Sequence, residues 1–336
     1  MKSFENKIIL ITGATGLIGY SLVEHLLNHC ATRVIVTGRN QEKLESTFSN
    51  FLNNRNLVLL ELDAAQEIPS YIGDIDYIFH AAGPMERDII LHSPVNIIKP
   101  NIFGIFNCLE FLKNQTKNTG KKGRLVVFSS VTVYYNPTNE DLIVSEDNTN
   151  CGDFLDSPTI SYSESKRMSE VIAKAYKKQF DIDIVIARLG TVYGESKNIP
   201  ETAFYEFIKK AFAGQDIVLN NSGFNRRDNI YVKDAINGLV TLSFYGQSGE
   251  SYNISSGGEK GNFAGIDEIA NYIAEAVSSL TGNKKIQVIY SAKPIRIPGI
   301  VLNNNKLKKL GWRLETSLEE GIIKTLRSYE CLKKNN

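Results

Sequence analysis

Long hydrophobic runs are missing from this 336-residue chain: its most apolar stretches, such as Lys7 to Thr12 and Leu125 to Ser129, are strand-sized, well short of the roughly 20 residues a membrane helix needs. The first residues, Met1-Lys2-Ser3-Phe4-Glu5, hold no apolar signal core or cleavage site, so a cytoplasmic chain with no membrane partner is expected. A marked excess of charge of either sign is missing too. The 38 Lys+Arg against 37 Asp+Glu leave a formal +1, which argues against a nucleic-acid partner and leaves any bound anion to a local site. Cysteine is scarce: Cys30, Cys108, Cys151 and Cys331 show no CxxC or CxxH spacing, so neither a metal site nor a disulfide framework is expected and the four read as reduced packing residues. What is present is 42% hydrophobic and 22% charged residues, enough apolar mass for one large or two modest cores.

The first half alternates apolar runs with amphipathic stretches. Lys7 to Thr12, Arg33 to Thr37, Asn56 to Leu62, Asp76 to His80, Arg124 to Ser129 and Asp183 to Arg188 are rich in Ile, Val and Leu with little polar alternation, as strands covered on both faces should be. Helical segments separate them: Gly16 to His29, Gln41 to Phe51, Pro94 to Lys117 and Ser161 to Phe180. This rhythm predicts an α/β fold, a doubly wound parallel sheet over residues 1–190. Beyond it, helices near Thr202 to Ala213, Val232 to Phe244, Ile266 to Leu280 and Leu318 to Glu330 alternate with short strands. Residues 191–336 therefore read as a smaller C-terminal α/β lobe, with the chain returning to the main sheet around 228–255.

Ile8 to Thr12 runs into Gly13-Ala14-Thr15-Gly16-Leu17-Ile18-Gly19 and then a helix. Glycines at a strand-to-helix turn let the backbone approach a pyrophosphate, which the free N–H groups of the helix N-terminus then bind; this is the Rossmann-type dinucleotide arrangement. The second strand closes on Val36-Thr37-Gly38-Arg39-Asn40. An acidic residue there suits the ribose hydroxyls of NAD, whereas a cation pairs with a 2′-phosphate, so Arg39 points to NADP, with NAD the alternative and a solvated helix-opening arginine the plain reading. Asp63, after the third strand, is placed either to reach the adenine or to cap its own turn.

In Ile160-Ser161-Tyr162-Ser163-Glu164-Ser165-Lys166, Tyr162 and Lys166 stand four apart on one helix face. An ammonium beside a phenol favours the phenolate. Tyrosine titrates near 10, so a base at neutrality needs about 4 kcal/mol of differential stabilisation, which Lys166 and a cationic cofactor ring would share.

With Phe128-Ser129-Ser130-Val131-Thr132-Val133-Tyr134 closing another strand, the chain resembles the extended short-chain dehydrogenase/reductase superfamily, in its nucleotide-sugar epimerase/dehydratase branch. Other residues carry the likeness along nearly the whole chain: His80-Ala81-Ala82-Gly83, Asn101, Arg188-Leu189, Val192-Tyr193-Gly194, Arg227-Asp228, Tyr231-Val232 and Leu310-Gly311-Trp312. The resemblance implies a catalytic set of Ser130, Tyr162 and Lys166. It implies a cofactor held by Gly13, Thr15, Gly16, Leu17, Ile18, Gly19, Arg39, Asn40, Asp63, Ala64, Ala81, Ala82, Gly83, Asn101, Tyr162 and Lys166. It further implies a nucleoside diphosphate sugar held by Ser130, Thr132, Arg227 and Arg296, and a homodimer built on the helices Pro94 to Lys117 and Ser161 to Phe180. For each arginine, a surface salt bridge is the competing reading.

Departures from the family pattern bear on the reaction. Dehydratases and decarboxylases of the family usually carry Asp-Glu or Ser-Glu after the strand-end serine or threonine, and here those positions are Val131 and Thr132. Neither side chain is a carboxylate base, so hydride chemistry, 4-epimerisation or reduction of a 4-keto sugar, is expected over elimination or decarboxylation. Glu86 and Glu195 are the carboxylates that could substitute. Gly190-Thr191 and Glu195 replace the more usual Phe-Asn and Pro, and His80 reads as a packed strand-end residue. A non-catalytic dinucleotide-binding protein on the same fold is the reading from a different class.

Overall fold

Alternate residues of one strand feed two different cores, which is why its sequence shows no polar alternation. In β1 (Ile8–Thr12), Ile9 and Ile11 join a cluster with Leu22, Val23, Leu239 and Leu242, while Leu10 joins one with Ile105, Leu109, Leu112 and Ile172. After β1 come α1 (Leu17–His29), β2 (Arg33–Gly38), α2 (Gln41–Thr47), β3 (Leu57–Glu61), β4 (Tyr77–His80), α3 (Arg87–His92), α4 (Val95–Thr119), β5 (Arg124–Ser130), β6 (Leu142–Val144), α5 (Ile160–Phe180) and β7 (Asp183–Leu189). The computed structural model describes residues 3–334 except 30–31, 85–86, 135–136, 149–154, 220–222, 283–284 and 294.

The second half contains β8 (Thr191–Tyr193), α6 (Ala203–Phe212), β9 (Ile217–Leu219), β10 (Gly223–Tyr231), α7 (Val232–Tyr245), β11 (Ser251–Ile254), β12 (Phe263–Gly265), α8 (Ile266–Thr281), β13 (Val288–Tyr290), β14 (Ile295–Ile297), β15 (Ile300–Leu302), α9 (Asn305–Lys308) and α10 (Leu318–Lys334). The main sheet is seven-stranded in the order β11-β7-β5-β4-β1-β2-β3, and each neighbouring pair is parallel. Order reverses between β1 and β4, so the crevice at their carboxyl ends is the switch point where α/β sheets bind ligands. β10 centres a smaller sheet with β12, β14 and β8.

The two halves of the chain share apolar packing: the cluster under α1 and α7 continues through Phe207 and Ile208 of α6, Ala270 and Ile273 of α8, and Leu318 and Ile322 of α10. Two segments depart from the sequence expectation. The helix expected over Gln41 to Phe51 ends at Thr47 and gives way to a 3₁₀ turn, Ser49–Phe51, and α3 was not foreseen. Helices α4 and α5 pack along one another, leaving Val95, Ile98, Phe103, Phe106, Met168 and Val171 exposed. Among the described residues, no helix is long and apolar enough to cross a membrane.

Candidate active site

Three glycines of the loop are there for different reasons. Gly13 has φ +67°, and a Cβ there would lie 2.6 Å from Ala82 Cα, so the loop seats directly on the chain leaving β4. At Gly19 a Cβ would meet the Gly13 carbonyl at 2.5 Å, which fixes α1 against the turn. Gly16 has only ordinary contacts, leaving open the side where the first N–H groups of α1, from Leu17 and Ile18, are presented beside Thr15. Ala81 and Ala82 thus form the opposite wall. His80, just before them, is buried, shares a 2.8 Å hydrogen bond between Nδ1 and the Thr12 hydroxyl, and is pushed down to about 3, chiefly by burial and then by the charge of Lys166. It is a neutral packing residue, as its position at the strand end suggested.

At the end of β2, Arg39 is exposed, and the Asn40 side chain caps α2 by accepting the Lys43 N–H at 2.6 Å. Asp63 caps its own turn, its Oδ1 accepting the Ala65 N–H at 2.9 Å. The carbonyl of Ala64 accepts from Asn107 on α4.

The catalytic candidates converge from two elements. Ser130 ends β5 and accepts the Thr132 N–H at 3.2 Å, shaping the 3₁₀ turn Val131–Val133; Tyr162 and Lys166 stand one turn apart on α5. All three are buried, and the hydroxyls of Ser130 and Tyr162 are hydrogen-bonded. Lys166 Nζ donates to the Phe128 carbonyl at 2.9 Å and stands 5.9 Å from the Tyr162 ring centroid. Gly83 joins them: a Cβ there would lie 2.7 Å from Asn101 Oδ1 and 3.2 Å from Lys166 Nζ. Asn101 is buried on α4, donates to Ile97 O and the Ser165 hydroxyl, and keeps Oδ1 without a partner. The buried Thr132 Oγ1 is also unpartnered.

The electrostatics of the protein alone add an effect of burial that the sequence did not show. Burial raises the Tyr162 pKa, and the opposing influence is the Ser130 hydroxyl rather than Lys166; burial also lowers Lys166 to about 8. In the protein alone, desolvation outweighs the ammonium and the phenol stays protonated.

A charged network that the sequence did not reveal braces this corner. Glu170, one turn beyond Lys166, accepts from the Ser129 hydroxyl at 2.5 Å and from Arg188 Nε and Nη2 at 2.9 and 2.7 Å. Arg188 also donates to the Tyr134 hydroxyl at 2.9 Å, and Tyr134 in turn donates to Asn253. The segment bearing Ser130 and Thr132 is therefore clamped at both ends. Ser129, Tyr134 and Arg188 stood within the motifs that carry the family likeness, but Glu170, the residue that joins them, did not.

The two substrate arginines are not brought together. Arg227 is exposed on β10, whereas Arg296 on β14 pairs in register with Phe224, whose parity along β10 is that of Arg226. Arg226 and Arg296 accordingly share the Asp141 carboxylate, on the face opposite Arg227. Arg296 forms a salt bridge here, the competing reading offered for it, and stands on the face opposite Arg227. Gly190 is packed so that a Cβ would meet Ser255 Oγ at 2.1 Å, leaving no room for the phenylalanine usual in the family. Glu195 is held by the Tyr231 hydroxyl and faces Lys233 at 3.6 Å; Glu86 lies outside the described residues. Of the cysteines, Cys108 is buried, its thiol pushed up to about 12 by burial, and Cys331 is exposed, while Cys30 and Cys151 also lie outside the described residues.

Comparison with known proteins agrees with this layout. The chain is 28% identical over 340 residues to a trifunctional UDP-glucose 4,6-dehydratase/UDP-4-keto-6-deoxy-D-glucose 3,5-epimerase/UDP-4-keto-L-rhamnose-reductase of Arabidopsis thaliana, covering 97% of this chain and 48% of that one, so it spans about half the length of this relative. It is 29% identical over 337 residues to UDP-glucuronic acid decarboxylase 1 of Danio rerio, covering 97% and 73%. Its fold is that of the UDP-glucose 4-epimerase of Thermotoga maritima, solved with UDP-glucose: TM-score 0.78 at 22% identity, covering 97% of this chain and 99% of that one. Residues 9–255 match the description of the NAD dependent epimerase/dehydratase family, and the chain belongs to that family.

Proposed function

We propose that the protein moves a hydride between a nicotinamide dinucleotide and a carbon of a nucleoside diphosphate sugar, C4, as a 4-keto-sugar reductase or a 4-epimerase. The observation that carries this reading is the convergence of Ser130, Tyr162 and Lys166 beside Gly83 and Asn101, with no carboxylate at Val131 or Thr132. A dinucleotide fits the residues present: the glycine loop leaves the N-terminus of α1 approachable, and the unpartnered Asn101 Oδ1 and the Cβ-free face of Gly83 lie beside Lys166. When bound, the nicotinamide supplies or accepts the hydride. Ser130 donates to the reacting sugar oxygen, and Tyr162 gives or takes the proton there. Lys166, anchored to the Phe128 carbonyl, holds the nicotinamide ribose and its charge near the phenol. Thr132 Oγ1 is available for a sugar hydroxyl, and Arg227 for the diphosphate.

The relatives named for dehydration and decarboxylation make the reaction class the point to test. Elimination across C5 and C6 needs a base for the C5 proton. Glu170 is engaged by Ser129 and Arg188 and is not free for that task; Glu195 is held at one oxygen by Tyr231 while its Oε2 has no partner, so the product decides the reaction class. Proton NMR should show the C4 epimer from a 6-hydroxy nucleotide sugar, or the C4 alcohol from its 4-keto form with reduced cofactor, and no new C6 methyl signal; such a signal would defeat this assignment.

Arg39 is the proposed selector for NADP. Replacing it with Asp should weaken NADPH binding about tenfold to a hundredfold, the worth of one charge-assisted phosphate contact, and leave NADH binding unchanged or better. Equal losses for both cofactors, measured by nicotinamide fluorescence, would contradict this. The exposed apolar face of α4 and α5 supports a homodimer, whose solution mass by light scattering should be twice that of the chain; a monomer at micromolar concentration would count against it.

A further inference from the structure

The loop between β8 and α6 reaches back across the molecule to the glycine loop. Asn198 Nδ2 donates to the backbone carbonyl of Thr15 at 2.9 Å and to the Thr47 hydroxyl at 2.9 Å. Both amide hydrogens are thereby used. Asn198 is itself steadied by Ser196, whose hydroxyl donates to its backbone carbonyl at 2.5 Å, and Thr47 is steadied by donating to Lys43 O at 2.6 Å. One side chain from the second lobe thus fastens two cofactor-side segments, the glycine loop and the last residue of α2.

The Thr15 carbonyl and the Gly16 N–H are opposite ends of one planar peptide. The Gly16 N–H donates to Gly13 O at 3.2 Å, and Asn198 grips the other end, so the orientation of that plane is fixed from both sides. That plane sets the direction of the next N–H groups, Leu17 and Ile18, which head α1 and face any bound pyrophosphate. The gripping residue sits five positions before α6, whose Phe207 and Ile208 are packed in the second lobe's share of the core.

We propose that Asn198 is a positioning residue coupling the dinucleotide site to the nucleotide-sugar lobe, so that each ligand tightens the binding of the other. Coupling of this kind is reciprocal, and the bridge is the physical link that both ligands bias. The inference rests on the dinucleotide reading above.

The test measures NADH and NADPH dissociation constants by fluorescence, with and without saturating UDP or dTDP, for the wild type, Asn198→Ala and Asn198→Asp. Aspartate keeps the shape and removes both donors, and alanine removes them without adding charge. In the wild type, at least one nucleotide should tighten cofactor binding. Both variants should bind cofactor about tenfold more weakly, lose the nucleotide effect, and keep the wild-type melting temperature. Thr47→Val, which removes one of the two acceptors, should show a smaller loss of the same kind. Wild-type cofactor affinity and an undiminished nucleotide effect in both variants would overturn the proposal, as would a wild type with no nucleotide effect. A fall in melting temperature matching the affinity loss would reduce Asn198 to a structural brace. A wild type that binds neither cofactor would instead bring down the dinucleotide reading itself.

Discussion

Tyr162→Phe should lower turnover by about a thousandfold or more while leaving cofactor affinity and melting temperature as they were. The substitution removes one buried hydroxyl, bonded to Ser130, and keeps the ring in place beneath Lys166 at 5.9 Å. Positioned proton transfer contributes about 10²–10⁴ in rate, and here a single group is assigned to carry it. The raised pKa of Tyr162 sharpens the expectation, because a phenol that stays protonated in the protein alone is ready to donate, which is the direction ketone reduction needs. Lys166→Met should lower both turnover and cofactor affinity, which separates the two roles. A Phe variant retaining more than a tenth of wild-type activity would remove Tyr162 from the chemistry.

The second large effect is on stability. Glu170→Ala leaves the Arg188 guanidinium, 12% exposed, without its bidentate carboxylate and frees Ser129 from its clamp. Breaking a buried pair by removing one partner costs about 3–5 kcal/mol. A cavity of about 190 Å³ bordered by Arg188 and Tyr134 has room for water on one side of the charge, which places the expected cost near the lower end of that range. Turnover should fall as well, since the turn bearing Ser130 and Thr132 is held at one end through Ser129 and at the other through Tyr134. Urea unfolding of the two proteins measures the difference. A loss under about 1 kcal/mol would mean that the network adds little to the fold.

The main sheet was legible because its strands are covered on both faces, and runs such as Ile9 to Ile11 record that directly in their composition. The glycine loop and the four-residue spacing of Tyr162 and Lys166 were legible because both are local. What was not legible depended on geometry between distant segments. Arg227 and Arg296 were both assigned to the diphosphate from the family resemblance, and only strand parity shows that they stand on opposite faces of one sheet. The spacing showed Lys166 beside the phenol, but not the opposing effect of burial, which is a property of the assembled fold. The bridge from Asn198 to Thr15 joins residues 183 positions apart and leaves no periodic or compositional trace.

The central claim, hydride transfer at C4 by a site with no carboxylate at positions 131 and 132, is tested most directly by the fate of a label. The purified protein is given reduced cofactor deuterated at the transferable position of the nicotinamide, together with a nucleoside diphosphate 4-keto hexose, and the sugar product is read by mass spectrometry and NMR. The account predicts a product one mass unit heavier with deuterium at C4, and no such product from Tyr162→Phe. Deuterium at C6, or a cofactor that keeps its label while the sugar loses water or carbon dioxide, would contradict it.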